Sequence, residues 1–271
     1  MKIALVQMDV VSGDPEANLE VALAGIDEAA RDGAELVVLP ELWSAGYVWR
    51  EGEGYRGSRR AGDFALDFRG DSAILADLAG RARDHRMWVV GGSLPEGTNR
   101  GIFNCTPVFD PGGALVHRYR KVHLIGLMEE DVHMIPGDEC RAFSMGDRVA
   151  GAFICYDLRF PELGRNLFID GAQLILVPAQ WPAARAKHWR SLLVARAIEN
   201  QCFVAGCNRV GRGGPDTFAG GSLVVDPGGD ILVEGDDEPG VLMAELDFAR
   251  VEGMRDVLPC LRDRRPDAYR R

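Results

Sequence analysis

The chain has 271 residues, 46% of them hydrophobic and 27% charged, and a formal net charge of −10. That much apolar material can build a full buried core, and the acidic balance argues against nucleic acid or an anionic membrane surface as a partner. No apolar run approaches the roughly 18 residues of a membrane span.

The opening MKIALVQMDVVSGD, with one lysine and no small-residue cleavage site, reads as a first strand rather than a signal peptide. Residues 2–8 are a buried strand. Residues 17–31 form a helix begun near Asp14-Pro15, with Leu19, Leu23 and Ile26 at helical spacing. The pattern then predicts a strand at 35–39, a helix at 71–84, and strands at 87–92 and 102–109. The second part of the chain repeats this order: strand 148–154, helix 161–169, strand 173–178, helix 185–200, strands 202–207 and 221–226.

The repetition extends to the letters. RDGAELVVLPELW (31–43) and IDGAQLILVPAQW (169–181) align at an offset of 138. CTPVFDPGGALV (105–116) and GSLVVDPGGDIL (221–232) each read as strand, Asp-Pro-Gly-Gly turn, strand. WVVGGS (88–93) and FVAGCN (203–208) also correspond. Continuous apolar strands covered by amphipathic helices imply sheets buried on both faces. Two such halves stacked sheet on sheet give an α/β fold, a four-layer α-β-β-α sandwich. No linker divides the chain, so residues 1–271 are expected to form one domain, with 248–271 a C-terminal tail. There Arg255, Arg262, Arg264, Arg265, Arg270 and Arg271 alternate with Asp256, Asp263 and Asp267, a pattern suited to a solvated or interface-forming segment.

Six cysteines, at 105, 140, 155, 202, 207 and 260, lie far apart without a CxxC pair, as expected of reduced thiols in a cytoplasm. The five histidines form no HxxxH or His/Cys cluster, so zinc is not expected. Asn104–Thr106 matches a glycosylation acceptor in form, but without secretion the match carries no weight.

Cys155, in GAFICYDLRFPEL (151–163), sits where an apolar strand gives way to a charged turn, a position suited to access. Glu41 follows VVLP in the first half, whereas its counterpart in the second is Ala179. An ionisable residue at one strand end and not at its twin asks for an explanation. Lys121, in RYRKVHL, also falls just beyond a predicted strand, and ends of parallel strands gather catalytic groups in α/β proteins. Singly, each has a plainer reading: a small core thiol, a helix-start carboxylate, a surface cation. Together they suit a nucleophile, a base and a cation. A thiol attacks only as thiolate, a buried carboxylate can take its proton, and a lysine can hold an oxyanion. His123 and His188 are alternative partners for the thiol, but His123, two residues from Lys121, is expected to face away from it.

LVVLPELWSAGY (36–47), YRKVHL (119–124) and GAFICYDLRFPEL (151–163) resemble, in order, the three motif blocks of the nitrilase superfamily of carbon–nitrogen hydrolases. The likeness runs from KIALVQMD to DRRPDAY and implies the same four-layer fold. It also implies that Glu41 is the general base, Lys121 the stabiliser of the intermediate and Cys155 the nucleophile. A second glutamate is implied in HLIGLMEEDVHMIPG; counting back from Pro136-Gly137 selects Glu130 over Glu129, with the task of orienting Lys121 and the attacking water. The implied reaction is amide hydrolysis through a thioester, with the Tyr156 N–H as a second oxyanion donor and no metal or organic cofactor. The family's habit of pairing, the acidic surface and the apolar VLPCL (257–261) imply a homodimer or larger homo-oligomer.

Residues 180–211 resemble the omega-amidase branch, which hydrolyses the terminal amide of 2-oxoglutaramate and related dicarboxylic monoamides. Gln180 departs from the Asn more frequent there. The carboxylate of such a substrate could pair with Arg159 or Arg185, beside Trp181. Equally, Arg159 could pair with Asp157 or Glu162, Trp181 could only pack as Trp43 does, and Glu199-Asn200 is expected to anchor a helix. Three other readings compete: an N-carbamoyl amino-acid or aliphatic amide hydrolase, a glutaminase half of a synthetase, and a non-catalytic thiol that senses oxidant.

Overall fold

The structure, a computed structural model, describes residues 1–49, 60–70 and 72–269. Its strands in chain order are β1 (Lys2–Gln7), β2 (Leu36–Val38), β3 (Trp88–Val90), β4 (Leu94–Thr98), β5 (Gly101–Phe109), β6 (Leu115–Arg120), β7 (Phe143–Met145) and β8 (Arg148–Ala152). There follow β9 (Leu174–Ala179), β10 (Phe203–Asn208), β11 (Val210–Gly213), β12 (Asp216–Ala219), β13 (Leu223–Val225), β14 (Ile231–Glu234) and β15 (Gly240–Glu245). The helices are α1 (Pro15–Arg31), α2 (Ala73–His85), α3 (Glu130–His133), α4 (Pro161–Ile169), α5 (Ala186–Asn200) and α6 (Ala249–Val257).

Both halves are built on the same plan. In the first, β1, β2 and β3 run parallel, and β5 adds antiparallel to β3 and forms a hairpin with β6. In the second, β8, β9 and β10 run parallel, and β13 adds antiparallel to β10 and forms a hairpin with β14. The two Asp-Pro-Gly-Gly turns close these hairpins alike. Asp110 Oδ1 accepts the N–H of Gly112 and Ala114, and Asp226 Oδ1 accepts those of Gly228 and Asp230, all at 2.9 Å. Such Asx turns are why Asp precedes the bend. β15 pairs antiparallel with β1, so the last strand closes on the first.

The sheets are buried on both faces, as their unbroken apolar strands require. Ile3 and Leu5 on one face of β1 join the core shared with the second sheet, while Ala4 and Val6 on the other pack beneath the first half's helices. Four layers result: α1 and α2, the seven-stranded sheet, the six-stranded sheet, then α4 and α5. Helix α1 begins at the expected Asp14-Pro15 start, where Asp14 accepts the Ala17 N–H at 3.1 Å and Pro15 takes the first helical position. Helix α2 runs from 73 to 85; residue 71, where the spacing starts it, lies outside the described residues. Strands β4, β7, β11, β12 and β15 carried no expectation: β7, β11 and β12 are three or four residues long, β4 holds Pro95 and Gly97, and β15 is mostly half-buried. Among the described residues no helix is long and apolar enough to cross a membrane.

The chain just beyond the middle strand of one sheet touches the end of the middle strand of the other. The N–H of Glu41, just past β2, donates to the carbonyl of Ala179 at the end of β9, at 3.3 Å. Those residues are counterparts in the 138-residue repeat, so the site lies on the pseudo-symmetry of the fold and is occupied asymmetrically.

Candidate active site

Glu41, Lys121 and Cys155 are each delivered by the end of a strand, and Glu130 by the start of a short helix. Glu41 lies three residues beyond β2, in a turn where Leu42 has φ 40° and its N–H is held by Ser93 Oγ at 2.9 Å. Gly92 beneath this turn has φ 61°, and a Cβ there would overlap the Pro40 carbonyl. Lys121 follows β6 directly, its N–H bonded to Asn104 O at 2.8 Å. Glu130 opens α3.

Cys155 begins a short 3-10 turn after β8 with φ 45°, a region a residue with a Cβ enters at about 1–3 kcal/mol. The surroundings hold it there. Asp157, two residues on and fully buried, accepts hydrogen bonds from Tyr119 OH (2.6 Å), the His123 N–H (2.9 Å) and the Ile154 N–H (3.1 Å), and pairs with His123 Nδ1 (2.9 Å). One carboxylate thereby ties the cysteine turn to the segment that carries Lys121.

Glu41, Lys121 and Glu130 are each 0% exposed and Cys155 is 2% exposed. Lys121 Nζ donates to Glu41 Oε1 at 2.8 Å and to Glu130 Oε2 at 2.7 Å. Asn104 Nδ2 bridges the same carboxylates, at 2.9 Å to Glu41 Oε1 and 2.8 Å to Glu130 Oε1. Tyr47 OH donates to Glu41 Oε1 at 2.9 Å, and the Ile125 N–H to Glu130 Oε2 at 2.9 Å. Glu41 Oε1 thus accepts three hydrogen bonds, whereas Oε2 accepts one, from the Gln180 N–H at 2.8 Å. The carbonyl of that same Gln180 faces Cys155 Sγ at 3.8 Å.

The electrostatics follow from two carboxylates and one cation in a site closed to water. Burial alone would push Lys121 down, but the charges of Glu130 and Glu41 outweigh it and hold the ammonium above its ordinary range. Burial and then the charge of Glu41 push Glu130 up against the pull of Lys121. Burial and the neighbouring Glu41 push the Cys155 thiol well above its usual value, with Lys121 opposing. The resting sulfur is therefore a thiol. Tyr47 is raised by burial and by both glutamates, and stays a hydroxyl donor.

A narrow cleft ends at Cys155, lined by Ile125, Leu127, Met128, Tyr156, Arg159, Trp181, Pro182, Arg185 and Asp216, with an interior of about 30 Å³. All four expected substrate contacts, Tyr156, Arg159, Trp181 and Arg185, are on its wall. The Arg159 guanidinium lies 4.6 Å from the Trp181 ring centroid and 3.4 Å from His188 Nδ1. Asp157, one of the two carboxylates it could have paired with, is occupied by Tyr119 and His123 instead. Trp181 Nε1 donates to Arg185 O at 2.9 Å, whereas Trp43 donates to Gly91 O in the core, so these repeat counterparts do different work. Arg196 pairs with Glu199 and reaches Leu158 O at 2.7 Å, and Asn200 bonds Arg196 O, which anchors α5 as expected.

His123 does turn away from Lys121, but for a different reason than strand geometry. In an extended strand, residues two apart share a face. Here β6 stops at Arg120, and the turn that follows carries His123 to Asp157. Glu129 is exposed at φ 58°, on the outside of the turn that buries Glu130. Three residues that hold Glu41 carried no expectation of doing so: Tyr47, six positions after it; Gln180, noted only as a departure from the Asn of the omega-amidase branch; and Asn104, noted only as a formal glycosylation acceptor. The signal for Asn104 was a polar residue inside the apolar strand FNCTPVF; it is 0% exposed, so the acceptor pattern it begins is out of reach of glycosylation.

A thiol at a strand end beside a carboxylate–ammonium–carboxylate cluster, on a doubled α-β-β-α frame, belongs to hydrolysis of carbon–nitrogen bonds other than peptide bonds. The model of the carbon-nitrogen hydrolase family matches residues 2–256, and the chain belongs to that family. It is 37% identical over 267 residues to a 2-oxoglutaramate amidase of Bacillus subtilis (strain 168), covering 98% of each chain. It is 31% identical over 277 residues to an omega-amidase of Mus musculus, covering 99% of this chain and 96% of that one. A variant of the amidase from Nesterenkonia sp. AN1, in which acrylamide has undergone Michael addition at the active-site cysteine, superposes with a TM-score of 0.80. That structure is 31% identical and covers 96% of this chain and 98% of its own.

Proposed function

We propose that this protein hydrolyses the terminal amide of a small carboxylate-bearing amide, of the 2-oxoglutaramate type, to the acid and ammonia through a thioester on Cys155. The observation that carries the reading is the unequal loading of Glu41. Three donors fix Oε1, and Oε2, with a single donor, is left to take the thiol proton beside the Gln180 peptide. Because the resting thiol is neutral, proton removal accompanies attack. Sulfur adds to the amide carbonyl as Glu41 accepts its proton. Lys121 has three N–H donors; two hold Glu41 and Glu130, and the third, which rests on Tyr47 OH at 3.4 Å, exchanges that long contact for the oxyanion, where the Tyr156 N–H joins it. Glu41 returns the proton to the leaving nitrogen, ammonia departs, and the thioester remains. Water adds to the thioester carbonyl as Glu41 takes its proton, the C–S bond breaks to release the acid, and Glu41 returns the proton to Cys155 Sγ. Glu130 keeps Lys121 in place throughout.

Arg159, oriented on Trp181, and Arg185 are the cations assigned to the substrate carboxylate. The names of the Bacillus and mouse relatives support the same substrate class. The test is ammonia release from 2-oxoglutaramate, N-carbamoyl amino acids and simple aliphatic amides, with intact-mass detection of an acyl adduct. Cys155→Ala is expected to fold and to lose turnover; activity within about tenfold of the unsubstituted protein would remove the thioester route. Preference for the carbamoyl compounds would move the protein to that class of hydrolase, and a modified thiol without ammonia from any amide would favour the redox reading.

The exposed apolar side chains Val257 (84%), Leu258 (55%) and Leu261 (41%) support assembly into a homo-oligomer through the 248–271 segment of a single 1–271 domain, which sedimentation at graded concentration tests. Six free cysteines support a cytoplasmic setting.

A further inference from the structure

Arg209 is a fully buried guanidinium that the reaction above does not use. Burial pushes it down to about 10, against the pull of Asp9. Its donors are correspondingly well met: Nε by Val210 O (2.9 Å), and Nη2 by Asp9 Oδ1 (2.8 Å), Val10 O (2.8 Å) and Arg212 O (2.9 Å). The remaining nitrogen, Nη1, donates to Gln180 Oε1 at 3.2 Å.

Gln180 is held from both ends. Its Nε2 donates to Glu41 O at 2.7 Å and to Leu42 O at 3.3 Å, so oxygen toward the guanidinium and nitrogen toward two carbonyls is the one orientation that satisfies every partner. The main chain of the same residue carries the N–H on Glu41 Oε2 and the carbonyl facing Cys155 Sγ.

The neighbouring residue works in parallel. Asn208 accepts the Trp181 N–H at 2.7 Å and donates to Trp181 O at 3.2 Å, so adjacent side chains at the end of β10 hold adjacent residues beyond β9. In the first half, Ser93 is the counterpart of Asn208 and holds the Leu42 N–H. The counterpart of Arg209 is Leu94, an ordinary core residue. The repeat is broken here as it is at Glu41: a charged group stands in one half only, at the matching strand end.

We propose that Arg209 is a positioning residue for the amidase reaction, holding the Gln180 peptide between Glu41 Oε2 and Cys155 Sγ and so setting the gap across which the thiol proton moves. The inference rests on the amidase reading. Tyr47, Lys121, Glu130 and Cys155 are the other titratable groups facing Glu41, and Asp9 faces Arg209. None is altered by exchanging Gln180 for an apolar side chain of the same length.

The experiment is steady-state ammonia release by Gln180→Met, Arg209→Lys and the double variant. Gln180→Met is expected to lower kcat about 10- to 100-fold, the loss that follows a displacement of about 1 Å between reacting groups. KM should stay within about threefold, because substrate binding is not addressed. Arg209→Lys keeps the charge but not the planar fork; it should lower kcat in the same way, and the double variant should be no slower than the slower single one. Losses that multiply in the double variant, or wild-type kcat in Gln180→Met, overturn the positioning role. If Arg209→Lys does not fold, Gln180→Met decides alone, since Arg209 there keeps Asp9 and its carbonyls. A wild-type protein without ammonia release from any amide overturns the amidase reading and this inference with it. An active wild type with an equally active Gln180→Met overturns this inference alone.

Discussion

Replacing Lys121 by Met keeps the length of the side chain and removes the one ammonium between Glu41 and Glu130. Both carboxylates are fully buried, and Asn104 Nδ2 would be left as the donor they share. Breaking a buried ion pair from one side costs about 3–5 kcal/mol. For a chain of this size each kcal/mol lowers the melting temperature by about 2–4 °C, so a fall on the order of 10 °C is expected near neutrality. The deficit depends on pH in a defined direction. Glu130 is already raised by burial and by Glu41, and losing Lys121 removes the influence that opposes this. A carboxyl raised in the folded state binds its proton more tightly there. Its stabilising contribution is complete below the unfolded value and is lost as pH rises through the folded one. Thermal unfolding of wild type and Lys121→Met across a pH series should therefore show the smallest gap below the ordinary glutamate value of about 4.3 and a gap that widens as pH rises above it. Turnover should fall about 10²–10³-fold at every pH, the loss of one oxyanion donor. A variant melting within about 2 °C of wild type throughout the series would refute the picture of an ammonium clamped between two ionised acids.

Two further outcomes follow from the same geometry. Because Glu41 is among the causes that raise the Cys155 thiol, Glu41→Gln should shift alkylation of Cys155 by iodoacetamide to lower pH while abolishing ammonia release. Alkylation rates read by mass spectrometry against pH check this, and a shift to higher pH would contradict it. Arg159→Met should raise KM for 2-oxoglutaramate about tenfold or more while changing KM for a simple aliphatic amide little, since a bidentate carboxylate contact is lost from one substrate and not the other. Equal effects on both would assign Arg159 to packing on Trp181.

Much of this was legible from residues close in the chain. The parallel strands β1, β2, β3, β8, β9 and β10 announce themselves as apolar runs, because a strand buried on both faces needs apolar side chains at every position. The Asp-Pro-Gly-Gly turns, the Asp14 cap and the 138-residue repeat are local or translational patterns of the same kind. The repeat also singled out Glu41, by setting it against Ala179.

Other features depend on contacts that no local pattern encodes. Asn104 reaches Glu41 across 63 residues, and the Gln180 N–H reaches it across 139. Whether a polar residue in an apolar strand is a tolerated oddity or a shared donor depends on what the neighbouring loop places opposite. Strands β11, β12 and β15 owe their existence to pairing partners rather than to their own sequence. His123 is turned by the end of β6, a boundary set by tertiary contacts with Asp157. The sequence by itself determined which residue types were present for the chemistry and the order of the elements that carry them. Only the packing of two sheets decided which oxygen of Glu41 is tied down and which is left to take a proton, because that depends on donors arriving from both halves at one point.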